Sequence, residues 1–134
     1  MQTNKTLRVT IVLALLLASA IVARAALLDG TKWKVKVVPN KAAADKGAKA
    51  FDDELVFANG EFTSRALLRK GFKSSKYHAE AEPHEAEFEA ELVSATNSVA
   101  TWTGEIRGTN TMGGLVWSQK GRGNFMYEFT GTKN

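Results

Sequence analysis

The residue types that most often do chemistry are sparse in this chain and poorly spaced for it. There is no cysteine, which excludes thiolate catalysis and cysteine-ligated metals. No Gly-x-Ser-x-Gly elbow, His-Glu-x-x-His helix or phosphate-cradling glycine loop occurs. The two histidines, His78 and His84, flank Pro83 within a glutamate-rich stretch. Zinc is one reading of that pair, but zinc sites draw on defined spacings with further ligands, and these two sit among the charges of a solvated turn. Asp52-Asp53-Glu54 places carboxylates side by side, the raw material of acid–base catalysis. Charges entering a strand more often serve solvation and pairing control. The residues thus predict no enzyme, no metal and no cofactor.

Binding chemistry has better material. The chain holds three Trp, two Tyr and seven Phe, and Trp33, Phe57, Tyr77, Phe88, Trp102, Trp117 and Tyr127 are the candidate ligand-binding set for a small hydrophobic molecule. Aromatic residues on inward strand faces are also ordinary core, so the same seven fit a filled barrel with no ligand. A cavity of ligand size, about 300 Å³ or more, would separate the two.

The elements that must position these residues read as strands. Trp33, Val35 and Val37 alternate with Lys32, Lys34 and Lys36, a period of two that makes one apolar and one charged face. Pro39 ends that strand, and residues 40–50, rich in Ala and Lys, read as a loop with one helical turn, the sole helix expected. Asn59-Gly60 predicts a two-residue hairpin turn, since both residues tolerate positive φ. That turn sets Ala58 opposite Glu61, Phe57 opposite Phe62 and Leu55 opposite Ser64, with Ala66 and Leu68 continuing the apolar side. Around Pro83, Tyr77, Ala79 and Ala81 alternate with His78, Glu80 and Glu82, and Ala86, Phe88, Ala90 and Leu92 alternate with Glu85, Glu87, Glu89 and Glu91. Ala, Glu and Leu favour helices, yet an every-second-residue set would be smeared around a helix, so two strands are predicted. Ala100, Trp102, Gly104 and Ile106, a strand through Trp117, and Phe125, Tyr127 and Phe129 complete about eight strands. An all-β, antiparallel up-and-down barrel satisfies that count and spacing and leaves no exposed edge.

A signal-peptide segment precedes this domain. Lys5 and Arg8 lead into an apolar run from Val9 to Val22, followed by Ala23-Arg24-Ala25, the order of a secretory signal peptide cleaved after Ala25. The run is shorter than the roughly 20 residues a spanning helix needs, so no stable membrane insertion is expected after cleavage. The division is 1–25 signal peptide and 26–134 one small barrel domain, exported to the periplasm or the extracellular medium. Residues 1–25 carry three of the eighteen basic residues and none of the fourteen acidic ones, leaving a net charge of +1. That balance gives no electrostatic case for a nucleic-acid partner.

Thr101-Trp102-Thr103-Gly104-Glu105-Ile106-Arg107-Gly108, Gly113-Gly114-Leu115-Val116-Trp117 and Tyr127-Glu128-Phe129-Thr130-Gly131 resemble the closing strands of small bacterial secreted proteins of the lipocalin-like, or calycin, type. Weaker similarity extends over the mature chain. Gly30-Thr31-Lys32-Trp33 has one residue more than the Gly-x-Trp opening of lipocalins, and the ureido-binding residues of avidins have no match. The resemblance implies a barrel with a ligand-holding interior or open end, in a group where many members have no assigned activity. A protein-interaction module is the alternative, for example a periplasmic protease inhibitor inserting Ala26-Leu27-Leu28 into an active site. On the outer surface, Arg65, Arg69 and Arg107 are expected to relieve the crowded glutamates, whose ladder reads as a solvated face.

Overall fold

A computed structural model describes residues 27–134; the signal peptide expected over residues 1–25 lies outside them. The described chain forms eight antiparallel strands: β1 Thr31–Pro39, β2 Phe51–Ala58, β3 Glu61–Ser64, β4 Ser75–Glu82, β5 Glu85–Val93, β6 Val99–Arg107, β7 Asn110–Gln119 and β8 Gly123–Lys133. Each pairs with the next and β8 returns to β1, closing the barrel in sequence order. The β2–β3 hairpin has the register its turn dictates, with Leu55↔Ser64, Phe57↔Phe62 and Ala58↔Glu61. Asn59 and Gly60 take φ values of 54° and 73°. The Ala/Glu-rich segments are strands β4 and β5, paired from Tyr77↔Ala90 to Glu82↔Glu85. Packing of an every-second-residue apolar face thus overrides helix propensity.

Up-and-down topology sorts the connections onto two ends. Residues 27–30 and the turns at 59–60, 83–84 and 108–109 share one end, the floor. Residues 40–50, 65–74, 94–98 and 120–122 share the other, the mouth. The mouth holds the two helical turns, α1 Lys41–Asp45 and α2 Arg65–Leu68. The turn expected within 40–50 is α1, capped by the Asn40 side chain accepting from Ala43 N at 2.8 Å.

The second turn corrects the expectation that Ala66 and Leu68 continue a strand. β3 stops at Ser64, whose hydroxyl accepts from Leu67 N at 3.2 Å and caps α2. Leu67 is fully buried, while Leu68 is half exposed. This leaves the upper part of β2 without a strand partner on that side, and Asp53 substitutes for the missing ladder. Its inward carboxylate accepts from Ala66 N at 2.9 Å, from Glu54 N at 2.7 Å and from the Ser64 hydroxyl. Burial pushes the Asp53 pKa up, against the lowering effect of those hydrogen bonds and of Arg69.

The middle of the barrel is a packed column of rings. Phe57 meets Phe62, Tyr77 and Phe88 at centroid distances of 5.3, 4.8 and 5.0 Å, and Trp102 meets Phe62 and Phe129 at 5.6 and 5.4 Å. Small residues let β6 and β7 close on these rings. A Cβ added to Gly104 would lie 2.6 Å from Phe88 and 2.8 Å from Phe129, and one added to Gly113 would lie 2.8 Å from Phe129.

Candidate functional site

The floor is closed by the chain's own bonds. Leu28 is buried, and its carbonyl accepts from Thr31 N and Oγ1. Gly30 N donates to Phe57 O at 2.7 Å. The Asp29 carboxylate accepts from Gly60 N and, at 2.7 Å, from the Tyr77 hydroxyl, tying the lead-in to β1, the β2–β3 turn and β4 together. Burial, with the Asp29 hydrogen bond and charge, raises the Tyr77 pKa and keeps its proton on.

The mouth is different. Between the 40–50 connection, α2 and the upper ends of β7 and β8 lies an open cleft of about 610 Å³, within the size range of small-molecule sites. Phe51, Trp117 and Tyr127 form its aromatic wall, and Lys49, Arg69 and Lys70 are the cations among its lining residues. The wall is held by edge and tilted contacts: Phe51 to Tyr127 at 5.8 Å, Trp117 to Tyr127 at 6.3 Å, and Phe72 behind Trp117 at 5.6 Å. The Trp117 indole N–H is buried and meets no acceptor in the protein. Tyr127 has its pKa raised by burial, offset in part by Arg122, so its hydroxyl is a neutral donor and acceptor at neutral pH.

Charge is as uneven as polarity. The mouth connections carry Lys41, Lys46, Lys49, Arg65, Arg69, Lys70, Lys73, Lys120 and Arg122 against the single acid Asp45. Lys41 pairs with Asp45 and Arg65 with Glu54, both at 2.8 Å; among the described residues the other seven join no salt bridge. Lys46 and Arg122 lie over the Phe125 ring at 5.5 and 5.3 Å, which orients two of them at the rim.

The seven sequence-predicted residues divide accordingly. Trp117 and Tyr127 line the cleft. Trp33, Phe57, Tyr77, Phe88 and Trp102 are buried within the packed core, and the Trp102 N–H also lacks an acceptor. Phe51, Lys49, Arg69 and Lys70 belong to the cleft and were not among the candidates. Their signal is distributed: each lies in or beside a connection, and only the alternation of ends in an up-and-down barrel gathers them.

Elsewhere the charged groups have structural or solvent roles. Asp52, Asp53 and Glu54 do not converge, since Asp53 is buried in the gap beside α2 while Glu54 pairs with Arg65. Arg107 relieves the glutamates as expected, at 3.0 Å from Glu85 and 3.5 Å from Glu105. Arg65 and Arg69 sit at α2, not on a strand beside that ladder, and Arg65 goes to Glu54. His78 lies 3.6 Å from Glu80 and is exposed; no three His, Asp or Glu side chains among the described residues gather as a metal site. A larger groove of about 700 Å³ outside β1 and β2 is lined by charges of both signs, including Lys34, Lys36, Asp52 and Glu54. Lys34 stands opposite Glu54 and Lys36 opposite Asp52 in the β1–β2 register, and Glu54 pairs with Arg65. A scan of family models and searches of curated proteins and of solved structures each find no match to this chain.

Proposed function

We propose that this chain is an exported, non-catalytic binding protein, a calycin-like barrel that holds a small aromatic or apolar molecule at its open end. The observation that carries the reading is the mouth cleft, whose aromatic wall is Phe51, Trp117 and Tyr127. The ring-packed column below it confines a ligand to this end. Export rests on the order of basic, apolar and small residues over 1–25, and N-terminal sequencing of secreted protein should begin at Ala26. No nucleic-acid partner is proposed, because the exported chain carries a net charge of only +1.

The inhibitor alternative loses part of its basis. Leu28, one of the three residues offered for insertion into an active site, is buried in the floor with its carbonyl engaged by Thr31.

The test is fluorescence titration with N-phenyl-1-naphthylamine, a neutral diaryl amine. Saturable binding with energy transfer from tryptophan, sharply reduced in Trp117→Phe but not in Trp33→Phe, supports the reading. No saturable binding, or binding indifferent to Trp117, overturns it.

A further inference from the structure

Resting on the mouth reading above, we infer that the ligand is an anion: a compact aromatic molecule bearing a carboxylate, sulfonate or comparable acid group. Its ring would pack against Phe51, Trp117 and Tyr127, and its acid group would meet Arg69, Lys49 and Lys70. A neutral apolar ligand needs only the wall. The lining of this cleft holds three cations and one acid, Asp52. The cleft therefore presents an excess of positive charge directly beside its aromatic surface.

Two further features point the same way. The surrounding connections add Lys46, Lys73, Lys120 and Arg122, none in a salt bridge among the described residues. A predominantly positive rim draws in ions of opposite charge. The acidic wall around Glu80, Glu87 and Glu105, which lie in one lateral row across β4, β5 and β6, repels the same ions from the side of the barrel. The guanidinium of Arg69 can grip a planar acid group with two parallel hydrogen bonds, and such charge-assisted bonds are the strong ones.

A pair of probes isolates the charge. 8-Anilinonaphthalene-1-sulfonate is N-phenyl-1-naphthylamine with one sulfonate added, so the aromatic contacts stay the same while the acid group comes and goes. The sulfonate compound is expected to bind the purified protein roughly tenfold or more tightly than the neutral one, the scale of one good charge-assisted contact. Arg69→Gln combined with Lys70→Gln should remove most of that advantage, lowering the sulfonate probe's affinity far more than the neutral probe's. Both side chains are exposed, and an unchanged circular dichroism spectrum would confirm that the fold is retained. Raising the ionic strength from about 0.01 M to about 1 M shortens the screening length from about 30 Å to 3 Å, and should weaken the sulfonate probe alone.

Equal affinity for the two probes overturns the inference and leaves the binding reading standing. A sulfonate advantage that survives Arg69→Gln/Lys70→Gln but disappears in Lys32→Gln/Lys34→Gln/Lys36→Gln also overturns it, by moving the anion to the outside of β1. If neither probe binds, the binding reading fails and the inference falls with it.

Discussion

The two ends of this barrel are built from the same eight strands and could hardly differ more in how they treat polar groups. At the floor the connections are two-residue turns, and the carboxylate of the lead-in to β1, Asp29, is answered by Gly60 N and the Tyr77 hydroxyl. At the mouth the connections are longer, seven cations have no salt-bridge partner among the described residues, and the Trp117 N–H has no acceptor. A closed barrel needs strand pairing all the way round but not a sealed pair of ends. The floor accordingly spends its polar groups on the fold itself. The mouth leaves them for something outside it.

That contrast can be broken most severely from the middle. Phe57 is buried and touches three other rings in the column, so Phe57→Ala should destabilise the protein by about 3–5 kcal/mol in urea unfolding, through lost burial and the cavity left behind. A loss below about 1 kcal/mol would mean a collapsible, loosely packed interior, and the ligand could then lie deeper than the mouth. The next effect contrasts the ends directly. Asp29→Ala strands a buried hydroxyl and a backbone N–H, which should cost about 1–3 kcal/mol, whereas Lys49→Gln with Lys70→Gln should shift stability by no more than about 0.5 kcal/mol. Comparable losses at both ends would show the mouth cations to be structural and remove the distinction.

Much of the barrel is legible in the sequence. Period-two alternation carried the strands because each buries one face, and Asn59-Gly60 fixed the β2–β3 register through its φ requirement. The α2 turn was not legible by that route. Ala66 and Leu68 continue the alternation of β3, but the following residues, Arg65 to Leu68, are all good helix formers preceded by a capping serine. There the local propensity wins, and the upper part of β2 goes without a strand partner on that side. The site was half legible for a related reason. Trp117 and Tyr127 stand out by residue type, whereas Lys49, Phe51, Arg69 and Lys70 are ordinary in sequence and become a set through the topology that brings their connections to one end.

The smallest effect concerns the seam between the two ends, where Asp53 takes the place of strand pairing. Burial raises its folded pKa above the ordinary value of 3.8, even though Ser64, Ala66 N, Glu54 N and Arg69 all pull it down. A raised folded pKa means that protonation favours the folded state: the stabilisation is complete below pH 3.8 and is lost as the pH rises through the folded value. Asp53→Asn cannot titrate but keeps an oxygen acceptor for the two backbone donors. The stability of the parent protein minus that of the variant should therefore grow as the pH falls from about 7 towards 4, read from urea midpoints at each pH. Every other carboxylate titrates in both proteins and cancels in the difference. A difference that shrinks on acidification would mean that the hydrogen bonds and Arg69 outweigh burial. The gap beside α2 would then be held by an ionised carboxylate, an anchor that weakens in acid and loosens the mouth before the floor.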